Sequence, residues 1–150
     1  MAGFVLKSPV FAEGGQIPIK HSCDGRDVSP ALVWEDAPAA TAALALIVAD
    51  PDARGFVHWV AYNIAGGPTG GLPEGAGSAS APPQGRNDFG RVGWGGPCPP
   101  GGTHRYRFTL YALSSALTLS GTPSASEVRG AAARVLLGNT TLTATYTRAK

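Results

Sequence analysis

Thr141-Leu142-Thr143-Ala144-Thr145-Tyr146-Thr147 sets an apolar side chain at every even position and a threonine at every odd one. Successive strand residues point to opposite faces, so Leu142, Ala144 and Tyr146 share one face and the threonines the other, as in a half-buried β-strand. Upstream, five further runs have strand length and β-branched or aromatic character: Phe4 to Leu6, Ala31 to Trp34, Ala43 to Val48, Phe56 to Ile64 and Tyr106 to Leu113. Ala43 to Val48 is apolar on both faces and belongs in the middle of the fold. Six such runs predict an all-β sandwich.

One helix interrupts the strands. Ser124-Ala125-Ser126-Glu127 is a capping box, in which hydroxyl and carboxylate satisfy the free amides of a first helical turn. Val128, Ala131, Ala132, Val135 and Leu136 then recur at helical spacing, and Gly138 is suited to end the helix. The spacing predicts a short helix over residues 124–137.

With 150 residues, 43% apolar and 15% charged, the chain can bury one core and is read as a single domain, 1–150. No apolar run is long enough to span a membrane as a helix. Twelve basic and ten acidic residues are scattered without a basic block, which excludes a nucleic-acid surface. The first residues lack a secretory pattern, so the sequence reads as cytoplasmic. Cys23 and Cys98 stand in no metal-ligand spacing and are expected as two reduced thiols.

Two segments carry chemistry. In Asp50-Pro51-Asp52-Ala53-Arg54-Gly55-Phe56-Val57-His58-Trp59, pairing of the flanking strands as a hairpin brings Asp50 and His58 to one rim. A carboxylate beside an imidazole fixes its tautomer and favours the charged ring, as an anion ligand or an acid/base group requires. The plainer reading is that Asp50 caps the Pro51 turn. The second segment runs from Gly85 to Gly102, with Phe89, Trp94 and Pro97-Cys98-Pro99-Pro100, and leads to His104 at a strand start. Its prolines stiffen the backbone and its glycines let amides face a ligand, a workable lining for a small anion cavity. His21, in the turn-rich Lys20-His21-Ser22-Cys23, is expected at the surface.

Asp50, His58 and His104 could in principle form a two-histidine, one-carboxylate metal triad, yet the histidines lie 46 residues apart without local ligand spacing. No metal and no cofactor are expected. A covalent mechanism has no support either: no serine stands in a G-x-S-x-G elbow, and Cys98 has no activating helix.

Taken in order, these motifs resemble the phosphatidylethanolamine-binding protein family, in particular its bacterial Raf-kinase-inhibitor-like branch. The resemblance rests on Cys23-Asp24-Gly25 with Ser29-Pro30-Ala31-Leu32 and Trp34, on Asp50-Pro51-Asp52-Ala53 with His58-Trp59, on Asn87-Asp88-Phe89-Gly90, and on Gly96-Pro97-Cys98-Pro99-Pro100 with His104-Arg105-Tyr106. It implies an antiparallel Greek-key β-sandwich with a C-terminal helix and a surface cavity for phosphate-like anions. By motif match the cavity residues are Asp50, Asp52, His58, Gly96, Pro97, His104 and Tyr106. The pattern also sets Cys23 and Cys98 close together. Two departures stand out: Arg54-Gly55 follows Ala53 where the family has a proline and a longer loop, and Trp94 replaces a common tyrosine.

Family members are described as phospholipid head-group binders, kinase modulators or protease inhibitors. The expected function is therefore a binding module for a phosphate-bearing or other small anionic ligand that regulates a protein partner. The alternative is a small-molecule lyase or isomerase using Asp50, His58 and His104 as acid/base groups. A homodimer is compatible with the sequence.

Overall fold

A computed structural model describes residues 3–148. In chain order these residues form β1 (Val5–Lys7), β2 (Leu32–Glu35), β3 (Ala43–Asp50), β4 (Phe56–Ile64), β5 (Gly70–Leu72), β6 (Thr103–Leu113), α1 (Ala125–Ala133) and β7 (Leu136–Thr147). Two sheets result, ordered β1-β2-β5 and β4-β3-β6-β7, with every strand pairing antiparallel.

The alternation along β7 holds: Leu142, Ala144 and Tyr146 are buried, and they join a cluster to which both sheets contribute. Leu6, Leu32, Trp34 and Leu72 enter it from the smaller sheet, and Leu44, Leu46, Val48 and Phe108 from the larger. Phe108 has no exposed surface and packs on Phe11 at 5.6 Å and Trp94 at 6.2 Å between ring centroids. Side chains of this kind each contribute about 1.5–3 kcal/mol by leaving water. The opposite face of the larger sheet is covered by α1, whose Val128 and Ala132 pack with Ala45, Ile47 and Val60. β3 is thus apolar on both faces because both are covered, as its composition predicts.

The structure corrects two elements. The capping box forms as expected, but α1 ends at Ala133, and Gly138 lies inside β7 opposite Ala112. Leu136 pairs with Leu113, so the sheet's hydrogen bonds claim residues that helical spacing assigned to α1. β5 was not anticipated, since Gly70-Gly71-Leu72 has little strand character. It exists through pairing with β2, and a side chain at Gly70 would run into the indole of Trp34.

Cys23 and Cys98 are close, with Cα atoms 5.4 Å apart, and they form a disulfide. The bond replaces the reduced pair that the cytoplasmic reading implied, since disulfides persist in oxidising compartments. His21 is also corrected: it is fully buried, with Nδ1 2.8 Å from the Val28 carbonyl oxygen. Among the described residues no helix is long and apolar enough to cross a membrane.

Candidate functional site

A cavity of about 230 Å³ opens at one end of the larger sheet's inner face. Asp50, His58, His104 and Tyr106 give it polar groups, and Ala53, Phe56, Phe89, Cys98, Pro99 and Pro100 make up the rest of its wall. β6 supplies His104 and Tyr106, which alternation sets on the same face as buried Phe108. β3 delivers Asp50 at its last position, opposite Phe56.

His58 reaches the cavity through a bulge. In the β3–β4 ladder Val48 faces Trp59 while the next residue, Ala49, faces Val57, leaving His58 as the extra residue. Trp59 belongs to the inner cluster and Val57 to the outer one. The bulge therefore lets adjacent His58 and Trp59 both face inward, which strict alternation forbids.

The buried Asp50 carboxylate serves two partners. Oδ1 accepts the Asp52 amide at 2.8 Å and so caps the Pro51–Ala53 turn, while Oδ2 lies 2.5 Å from His104 Nδ1. The plain turn-capping role and the carboxylate–imidazole pair coexist. The imidazole is nevertheless His104 rather than the expected His58.

His58 instead directs Nδ1 to the Gly95 carbonyl at 2.7 Å, leaving Nε2 for the cavity. Burial pushes its pKa below the ordinary 6.5, against smaller opposing effects from the Gly95 hydrogen bond and the Asp50 charge. The ring is thus held neutral, so His58 does not supply the positive charge that its distance from Asp50 in sequence suggested. It packs edge-on against Phe56 at 5.2 Å, Phe89 at 5.4 Å and Tyr106 at 5.1 Å between centroids. Burial first, then the charges of Asp50 and Asp52, raise the Tyr106 pKa, so the phenol keeps its proton.

The remaining motif residues lie behind or beside the wall. Asp52 turns away to Arg105, accepting its backbone amide at 2.8 Å and its guanidinium at 2.9 and 3.1 Å. The side-chain bond to Arg105 leads in holding the Asp52 carboxyl down at about 2. Gly96 donates its amide to Asp27 Oδ1 at 2.8 Å and has no room for a side chain against Asp27 and the His21 carbonyl. The Pro97 carbonyl accepts the Cys23 amide at 3.1 Å. Trp94 also points away from the cavity: Nε1 donates to the His21 carbonyl at 3.2 Å and the ring packs on Trp59 and Phe108. Its replacement of a tyrosine acts through the core rather than by contact with a ligand.

Asn87-Asp88-Phe89-Gly90 now has a mechanical explanation. Asp88 accepts the Val57 amide through Oδ2 at 2.7 Å and donates its own amide to the Val57 carbonyl at 2.8 Å, gripping the start of β4. Buried Asn87 donates through Nδ2 to the Gly93 carbonyl at 2.9 Å. Its Oδ1 accepts the amides of Phe89 at 2.9 Å and Arg91 at 3.2 Å. These bonds hold Phe89 over the cavity, 4.8 Å from Phe56 between centroids. Phe89, Pro99 and Pro100 come from the Gly85–Gly102 loop that the sequence offered as a lining, whereas Phe56, at the start of β4, was not anticipated as a wall residue.

Among the described residues no group of three or more His, Cys, Asp or Glu is arranged to hold a metal ion.

The sequence profile described as phosphatidylethanolamine-binding protein matches residues 7–147. A UPF0098 protein of Methanothermobacter thermautotrophicus is 40% identical, the match covering 95% of this chain and 98% of that protein. LppC of Mycobacterium tuberculosis, provisionally named a lipoprotein, is 48% identical over 85% of this chain but only 63% of its own length. Escherichia coli YbcL, whose crystal structure is described as that of a new member of the mammalian PEBP family, superposes with a TM-score of 0.89 at 32% identity. That superposition covers 99% of this chain and all of the YbcL chain.

Proposed function

The chain belongs to the phosphatidylethanolamine-binding protein family, a family of ligand-binding proteins, and from that premise we propose that its cavity binds the phosphate or other anionic group of a small molecule. The observation that carries the reading is the His104–Asp50 pair at the wall of a largely apolar cavity. His104 gives Nδ1–H to Asp50, and its Nε2 is left for a ligand. Donating from both nitrogens at once requires the charged ring, which is the form that attracts an anion. Phe56, Phe89, Pro99 and Pro100 offer an apolar surface for the carbon part of a phosphomonoester. Ligand occupancy communicated to a protein partner completes the reading.

Calorimetric titration with sulfate tests it: His104→Ala should weaken binding about ten- to a hundredfold, the cost of one charge-assisted hydrogen bond. Lys7→Ala, on the smaller sheet, should change nothing. Binding that is independent of His104 would sink the proposal. The Asp50–His104 pair also has the form of an acid/base dyad, which keeps the lyase or isomerase reading in play. Mass spectrometry of a metabolite extract after incubation separates the two, since an enzyme alters a compound that a binder only retains.

A further inference from the structure

On the opposite face of the larger sheet, a second hollow of about 240 Å³ lies between α1 and the turn that follows β3. Its floor is Ile47 and Ala49 of β3. Arg107 and Thr109 of β6, Arg129 of α1, and Pro51 with Gly55 of the turn surround it. No carboxylate is among these residues.

The neighbouring arginine shows what a balanced arrangement on this face looks like. Arg105, two residues before Arg107 on the same face of β6, is matched by Asp52 through both its guanidinium and its backbone amide. Arg107 and Arg129 have no such match: among the described residues no carboxylate lies within ion-pair distance of either. Two guanidinium groups thus border one concavity with an apolar floor, where positive potential is concentrated rather than cancelled. Guanidinium forks pair with the oxygens of a phosphate group two at a time, and the Thr109 hydroxyl can donate a further bond.

We propose that this hollow is a second anion site, taking the phosphate group of a small molecule between Arg107 and Arg129. It stands back to back with the His104 cavity. The turn that lends Pro51 and Gly55 to the hollow lends Ala53 to the cavity, and the strand ends it joins lend Asp50 and Phe56. An anion on one side of this turn therefore contacts the segment that shapes the other. The hollow does not depend on the function proposed for the cavity.

Amide chemical shifts of the full chain test the proposal, with sodium phosphate titrated at pH 7.5 against sodium chloride at constant ionic strength. Phosphate should shift the amides of Gly55, Arg107, Thr109 and Arg129 along one saturating curve. In the double variant R107Q/R129Q that affinity should drop at least about tenfold, while shifts at His104 and Tyr106 remain. His104→Ala should leave the Arg107 curve intact, so failure at one site is read separately from failure at the other. A parallel titration with glycerol 3-phosphate distinguishes free phosphate from a monoester by which saturates the Arg107 curve at lower concentration. The proposal is overturned if chloride reproduces the shifts, if phosphate leaves these four amides unmoved, or if R107Q/R129Q titrates like the wild type.

Discussion

Asn87→Ala removes the side chain that organises the segment over the cavity, and its cost can be worked bond by bond. Asn87 is 2% exposed and makes three side-chain hydrogen bonds, to the Gly93 carbonyl and from the Phe89 and Arg91 amides. Gly93 is buried, so its carbonyl loses a partner that water does not readily replace, at about 1–3 kcal/mol. Phe89 and Arg91 are exposed, and their amides recover bonds to water, which limits each loss to about 0.5 kcal/mol. The expected destabilisation is about 2–4 kcal/mol. At a urea slope near 2 kcal/mol per molar, the midpoint falls by about 1–2 M. Asn87→Asp keeps the two accepting bonds and sets a carboxylate oxygen against the Gly93 carbonyl, so it retains the turn at Phe89 but still loses about 1–3 kcal/mol. Urea unfolding followed by tryptophan fluorescence, with hydrogen exchange at the Phe89 and Arg91 amides, reads both effects. If Asn87→Ala lies within about 0.5 kcal/mol of wild type and those amides exchange no faster, the clamp assigned to Asn87 is wrong.

Three further outcomes are expected. Because burial lowers the His58 pKa below 6.5, the unfolded chain takes up this proton first as pH falls. Stability should therefore be full above about pH 6.5 and decline below it, by at most about 1.4 kcal/mol per pH unit for one proton. Urea midpoints between pH 7.5 and 5 should show a shallower decline in His58→Asn, and an equal slope would refute the assignment. Asp52, held at about 2 by Arg105 against an ordinary 3.8, stabilises the fold above 3.8 and loses that contribution as pH drops through 2. Thermal melts of Asp52→Asn should thus fall below wild type at pH 5 and converge with it near pH 2. Removing the cross-link between Cys23 and Cys98, 75 residues apart, with a double serine variant should cost about 2–4 kcal/mol by denaturant titration; a loss under 1 kcal/mol would show that the bond adds little.

Much of the fold was written in local patterns. The alternation in Leu142, Ala144 and Tyr146, the doubly apolar run of β3 and the capping box at Ser124 each reflect a choice made within a few residues. Such choices survive packing because burial and capping reinforce them. The two sheets, helix α1 and the meeting of Asp50, His58 and His104 at one cavity were legible on that basis, and Tyr106 through motif resemblance.

Tertiary structure decided what depends on distant partners. Which histidine meets Asp50 is fixed by β3 lying between β4 and β6, since His104 comes from one neighbour and His58 from the other. The sequence showed Asp50 and His58 close along the chain, but the bulge before Trp59 and the Gly95 carbonyl gave that ring a different partner. His21 resembles a surface turn residue in the sequence, yet it is fully buried: its ring reaches the Val28 carbonyl, and its own carbonyl accepts the indole N–H of Trp94 from the loop after β5. β5 and the early end of α1 follow from ladder hydrogen bonds to β2 and β6. Propensity is a property of neighbours in sequence, whereas a hydrogen bond, a burial cost and a charge pair belong to neighbours in space. The sequence alone therefore determined six of the seven strands, the helix start and the chemistry available to the cavity, and packing determined β5 and which groups were charged, paired or buried.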